Sequence, residues 1–170
     1  EAELREGEVK VETRKMKGSD MPQIYAYAII DAPPKSLWKI ISDCSTYHKT
    51  MPSIEKSRYL KALSPPGKIR CELVVNLPWP MDDLRSVTDA VHTIKGGNYK
   101  RQWTLVEGDY RLNNGSWTLT AIDQGSKTFI EYKVHVEPKT SVPDFIKRAA
   151  QKSKIPDLID HLRESVTAQD

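Results

Sequence analysis

The stretch Asn114-Gly115-Ser116-Trp117-Thr118-Leu119-Thr120-Ala121, the turn Asp123-Gln124-Gly125-Ser126, and the run Thr128-Phe129-Ile130-Glu131-Tyr132-Lys133-Val134-His135-Val136 decide the architecture of this chain. In the first limb Trp117, Leu119 and Ala121 alternate with Ser116, Thr118 and Thr120. In the second, Ile130, Tyr132, Val134 and Val136 alternate with Glu131, Lys133 and His135. Successive side chains on a strand point to opposite faces, so each limb reads as a strand with one buried and one wet face. The intervening turn is too short for a crossover, which makes the two strands antiparallel neighbours.

The same logic extends outward. All eleven prolines fall at Pro22–Pro80 or Pro138–Pro156, leaving Met81 to Glu137 free of them. Proline cannot donate to a β ladder, so this gap suits consecutive, internally paired strands. Lys95-Gly96-Gly97-Asn98, Glu107-Gly108-Asp109 and Asn113-Asn114-Gly115 supply further turn signals. Cys71, Leu73, Val75 and Leu77 alternate with Arg70, Glu72 and Asn76, and strands are also expected at Arg85–Ile94 and Asn98–Val106. Glu8–Lys15, Gln23–Ile30 and Ile54–Leu63 complete the strand inventory.

Helices flank this sheet. One follows Ala32-Pro33-Pro34, with Leu37, Ile40 and Ile41 at helical spacing and an end at Asp43. A short helical turn is expected over Ser45–Thr50. A long C-terminal helix begins at Pro143 and Asp144, with an apolar stripe of Phe145, Ile146, Ala149, Ala150, Leu158, Ile159, Leu162 and Val166. Pro156 removes the backbone bond to Lys152, so a kink or break near Ser153 is predicted. The whole, residues 1–170, reads as one α+β domain whose antiparallel sheet curls around the C-terminal helix. A gap between curved sheet and helix can hold a ligand.

Composition narrows the function classes. The 170 residues are 38% hydrophobic and 29% charged, which excludes disordered and fibrous classes, and a net charge of +3 is too little on its own to argue for nucleic acid, which is not an expected partner. The longest wholly apolar run, Ile24 to Ile30, is too short to span a bilayer. Charge concentrates locally: Lys139, Lys147, Arg148, Lys152 and Lys154 stand against the single acid Asp144 between Lys139 and Lys154. Such a basic amphipathic helix can approach an anionic membrane surface, and Lys147, Arg148 and Lys152 are the expected membrane-facing residues.

Catalytic and metal signatures are absent. His48, His92, His135 and His161 have no partner at metal-binding spacing; His135 falls on the polar face of its strand. No Gly-x-Ser-x-Gly elbow occurs, and Asp82-Asp83 reads as a solvated turn. Cys44 and Cys71 form no Cys-x-x-Cys and are read as buried or half-buried thiols, with a single disulfide as the alternative. No metal, cofactor or catalytic residue is expected.

The ordered series Gly115-Ser116-Trp117, Thr128-Phe129-Ile130-Glu131-Tyr132, Pro138 and Val142-Pro143-Asp144-Phe145 resembles the C-terminal half of START lipid-transfer domains. Gly7-Glu8-Val9-Lys10-Val11, Lys17-Gly18-Ser19-Asp20, Ile30-Asp31-Ala32-Pro33, Met51-Pro52-Ser53-Ile54 and Leu77-Pro78-Trp79-Pro80-Met81 resemble landmarks earlier in that family. Where the family usually carries an Arg-Asp pair, this chain reads Asp83-Leu84-Arg85-Ser86. The resemblance implies the helix-grip fold, shared with polyketide cyclases and Bet v 1-like proteins, and a cavity for a lipid, sterol or other bulky apolar molecule. The chain opens at Glu1 rather than Met, so either a leader has been cleaved or the chain has been trimmed; with the family's occurrence among exported bacterial proteins, the expectation leans to the periplasm.

The expected function is non-catalytic binding, transfer or sensing of a hydrophobic small molecule. The expected walls are Leu73, Val75, Trp103, Trp117, Leu119, Tyr132 and Val134 from the sheet, with Phe145, Ile146 and Ala149 from the helix. Arg101 shares a face with Trp103 and Leu105, and Asp89 one with Val87 and Val91; both are expected headgroup contacts, with the Tyr132 hydroxyl at the same site. One alternative is a cyclase or aromatase using His92, Asp89 or Tyr132 as acid or base. Another is a protein-interaction module with a solid core.

Overall fold

In the computed structural model, which describes residues 1–149 and 153–168, the chain opens with α1 (Ala2–Arg5), β1 (Lys10–Arg14) and β2 (Gln23–Ile30). Next come α2 (Pro34–Ile41), a 3-10 turn at Cys44–Thr46, and α3 (Tyr47–Thr50). Six strands follow: β3 (Ile54–Leu63), β4 (Lys68–Val75), β5 (Leu84–Lys95), β6 (Asn98–Gly108), β7 (Tyr110–Ile122) and β8 (Lys127–Pro138). The C-terminal part holds α4 (Asp144–Ala149) and α5 (Ile155–Thr167). The eight strands form one curved antiparallel sheet in the order β1-β2-β8-β7-β6-β5-β4-β3. The helices pack on its concave side, giving the α+β arrangement the alternation implies.

Register fixes which residues look inward. Trp117 of β7 stands opposite Tyr132 of β8 and Arg101 of β6, while Trp103 stands opposite Gly115. A Cβ at Gly115 would collide with the Lys133 carbonyl and the Trp103 indole, so only glycine lets that ring lie flat against the sheet. Towards the β3 edge of the same face, Cys71, Leu73 and Val75 of β4 pair with Thr88, Ser86 and Leu84 of β5.

The core is built where α2 and α5 meet the sheet. Leu37, Ile40 and Ile41 of α2, Leu119 of β7, Ile130 of β8, and Ile159 and Leu162 of α5 are all essentially inaccessible. Ile155, Ile159, Leu162 and Val166 repeat along one face of α5, which is the stripe a helix needs to bury one side. Pro33 and Pro34 begin α2, where the missing proline N–H costs no hydrogen bond.

Four sequence expectations change, and one adjoins residues outside the description. Pro156 lies in the first turn of α5, after α4 has ended at Ala149; the expected kink or break near Ser153 adjoins residues 150–152, which lie outside the described residues. Proline suits that first turn as it suits α2; Ala150 of the predicted stripe lies outside the described residues. Phe145 is 54% exposed and leaves the stripe. His135 is buried, because the segment between β1 and β2 covers the convex face there: its Nε2 lies 2.9 Å from the Met21 carbonyl oxygen and 3.3 Å from Ser19 Oγ. Cys44 and Cys71 are joined in a disulfide that ties the 3-10 turn to β4. Finally, α1 has no counterpart in the sequence reading; its Arg5 Nη1 donates to Asp123 Oδ2 at 2.9 Å, anchoring it to the turn between β7 and β8.

Candidate ligand-binding pocket

Between the concave face and α4–α5 the side chains fail to meet, leaving a pocket of ≈ 350 Å³ that is partly open to solvent. Each wall has a distinct origin. Leu73 and Val75 come from β4, Trp103 from β6, Trp117 from β7, and Tyr132 and Val134 from β8. Ile146 and Ala149 close it from α4, and Ile155 and Leu158 from α5. Trp103, Trp117 and Tyr132 form one aromatic wall, with Tyr132 ring centroids 6.1 Å from Trp103 and 4.2 Å from Trp117. Trp103 is held in place by its Nε1–H, which donates to Asn113 Oδ1 at 3.0 Å.

Three expected ligand contacts lie elsewhere. Leu119 is fully buried in the core between sheet and α2, not at the pocket. Phe145 points to solvent. Asp89 sits on the outer face, directly opposite Arg70, whose Nε and Nη2 donate to its two oxygens at 2.7 and 3.0 Å. That guanidinium holds the Asp89 carboxyl below its ordinary range. The reversal has a clear origin. β5 carries apolar residues on both faces, so its own alternation does not choose between them. Pairing with β4 does, sending Leu84, Ser86 and Thr88 inward and leaving Val91 47% exposed.

Arg101 does face the pocket and is 3% exposed. Its Nη1 donates to His92 Nε2 at 2.7 Å and its Nη2 to Cys71 Sγ at 3.7 Å, while its Cζ lies 5.6 Å from the Tyr47 ring centre. Ser86 and Thr88 line the same pocket, and both are buried. Neither was singled out from the sequence, because choosing the wrong face of β5 hides them. Tyr110 was missed as well, since it begins its strand without an alternating partner.

The groups considered for acid–base work are not assembled. Burial pushes the Tyr110 hydroxyl up to about 12 and likewise raises Tyr132, so both stay protonated and can only donate or weakly accept hydrogen bonds. His92 packs edge-on against Trp38 with ring centres 4.9 Å apart. Desolvation first, and the Arg101 charge second, lower it from 6.5 to about 4. At neutral pH it is therefore an uncharged acceptor for Arg101.

This depression has a stability consequence. Below pH 6.5 an unfolded chain protonates His92 while the folded chain resists until about pH 4. The unfolded state then binds more protons, so stability is fully present above pH 6.5 and declines as pH falls towards 4. Denaturant titrations across that window should show the decline in the wild type and a flatter profile in His92→Gln. Identical slopes would refute the assignment.

At the surface, Lys147 lines the pocket edge and its Nζ is 3.8 Å from Asp144 Oδ1, while Arg148 is exposed. Lys152 lies outside the described residues. Trp79, which follows the pocket-lining Leu77 and Pro78, is 90% exposed, and Phe145 precedes the lining Ile146. No described helix is long and apolar enough to cross a membrane. Among the described residues no cluster of His, Cys, Asp and Glu could hold a metal ion.

The profile of a family described as polyketide cyclase / dehydrase and lipid transport matches residues 30–163. No curated protein matches the sequence. Among solved structures, a STAR-related lipid transfer protein from Xanthomonas axonopodis superposes with a TM-score of 0.79 at 20% identity, covering 94% of this chain and 93% of that one. Human STARD10 gives a TM-score of 0.80 at 14% identity, covering 94% of this chain and 69% of that one. The Zhui aromatase/cyclase from Streptomyces gives 0.68 at 13% identity, covering 86% and 94%. At these identities the likeness is one of fold.

Proposed function

The chain belongs to the polyketide cyclase / dehydrase and lipid transport family, and from that premise we propose that it is a non-catalytic carrier or sensor that holds a lipid-like hydrophobic molecule in the pocket between sheet and helices. The observation that carries this reading is the pocket itself, walled by Trp103, Trp117, Tyr132, Leu73, Val75 and Ile146. Removing apolar ligand surface from water is worth roughly 25 cal/mol per Å², so such walls bind without any reactive group. A cyclase is the second reading, favoured by the fold shared with the Streptomyces enzyme. Against it stand a neutral His92 outside the pocket lining, an Asp89 committed to Arg70, and a Tyr132 that does not ionise.

Exchange of cargo requires the pocket to meet a membrane. Trp79 and Phe145 flank pocket-lining segments and offer apolar surface to the headgroup region, where tryptophan is favoured. Lys147 and Arg148, with Lys152 in the same basic run, supply the charge; each basic residue near an anionic surface is worth about 1 kcal/mol. Transfer of a fluorescent lipid between anionic vesicles tests both parts. The wild type should accelerate transfer, and Lys147→Glu with Arg148→Glu should slow it at least about fivefold on anionic vesicles but not on neutral ones. Uptake without charge sensitivity would remove the membrane part, and no uptake of any lipid probe would remove the carrier reading.

A further inference from the structure

We propose that the pocket selects an amphiphile with an anionic headgroup, its oxyanion seated on Arg101 and its apolar chain running along the aromatic wall. This rests on the pocket being a binding site at all, and it goes further by naming the ligand's charge.

Arg101 is the one arginine among the described residues that is fully buried. A guanidinium stays charged in any protein environment and carries five N–H donors. Burying such a charge is unfavourable unless an anion or a complete set of hydrogen bonds compensates. Elsewhere in the chain the less exposed arginines follow that rule. Arg70 Nε meets Asp89 Oδ1 at 2.7 Å and Arg163 Nη1 meets Asp160 Oδ1 at 2.7 Å. Arg101 breaks it: among the described residues no carboxylate lies within 4.0 Å, and its neighbours are an imidazole, a disulfide sulfur and a phenol ring. All three are neutral, so the positive charge is unopposed at the wall of an apolar pocket.

Two hydroxyls complete the seat. Thr88 stands opposite Cys71, the residue whose sulfur accepts from Arg101, and Ser86 follows it on the inward face of β5. Both are more than nine-tenths buried, line the pocket, and have no side-chain hydrogen bond among the described residues. A guanidinium fork with adjacent hydroxyls matches a carboxylate or phosphate oxyanion, and charge-assisted bonds of this kind are roughly twice as strong as neutral ones. A sterol or fatty alcohol would leave the charge unanswered.

The test compares palmitic acid, hexadecanol, and acetate or inorganic phosphate as ligands of the whole chain, read by calorimetry and by Trp fluorescence. Palmitate should bind at least about tenfold more tightly than hexadecanol, and the headgroup ions alone should bind far more weakly than palmitate. Arg101→Met should abolish the discrimination between acid and alcohol, whereas Arg101→Lys should retain part of it. Equal affinity of the wild type for acid and alcohol would overturn the charge assignment while leaving the carrier reading intact. Phosphate binding as tightly as palmitate would overturn the requirement for an apolar chain. Failure of palmitate and hexadecanol alike would instead overturn the carrier reading. The wild-type comparison stands even if Arg101→Met does not fold.

Discussion

Leu73→Trp should cut the affinity of the pocket for any long-chain ligand by roughly 50- to 100-fold while leaving the fold intact. Leu73 lies on β4, lines the pocket, and is only partly buried against the core. The larger ring therefore has empty space to enter, unlike a residue such as Leu119 that is packed on every side. If the indole displaces about 100 Å² of ligand contact at about 25 cal/mol per Å², the loss is about 2.5 kcal/mol. Calorimetric titration with palmitate reads the affinity, and thermal unfolding of the ligand-free variant checks the fold. Unchanged affinity in a folded variant would place the ligand elsewhere.

Breaking the Cys44–Cys71 disulfide should cost about 3 kcal/mol of stability and lower the unfolding temperature by roughly 10 °C. The bond closes a loop of 27 residues, and chain-entropy arguments assign a loop of that length this order of stabilisation. Both cysteines are 1% exposed, so the cross-link is part of the core and not a surface tether. It also fixes the turn that leads into Tyr47 and Met51, two pocket residues, and it carries the sulfur against Arg101. Ligand affinity should fall along with stability. Denaturant unfolding of Cys44→Ala with Cys71→Ala, and of the wild type with reductant, provides the measurement. Coincident midpoints for wild type and variant would show that the bond contributes nothing.

The contrast between β8 and β5 explains how much of this molecule was legible in its sequence. In β8 the alternation Ile130, Tyr132, Val134 and Val136 has one apolar face, and the inward face follows directly. In β5, Leu84 and Ala90 lie on one face and Val87 and Val91 on the other, so only the partner strand decides. The sequence reading therefore found Arg101, Trp103, Trp117, Tyr132 and Val134 but offered Asp89 and overlooked Ser86 and Thr88. His135 obeyed its alternation and was still buried, because a segment more than a hundred residues earlier in the chain covers it. Covalent pairing of Cys44 with Cys71 is likewise a long-range fact, fixed only when the 3-10 turn after α2 and β4 come together.

Arg101 connects these observations. The sheet brings it opposite His92 and Trp117, the disulfide stands against its second nitrogen, and no acidic side chain among the described residues answers its charge. A solid-core interaction module would have no use for this arrangement, whereas a carrier of an apolar acid uses every part of it.

The central claim, that the pocket holds a hydrophobic cargo, is tested most directly by native mass spectrometry of the protein purified from its own host, with organic extraction of whatever accompanies it. The account predicts one apolar, acidic molecule per chain in the wild type and none in Leu73→Trp. Wild-type protein that is ligand-free after gentle purification, and that takes up neither palmitate nor hexadecanol afterwards, would contradict it.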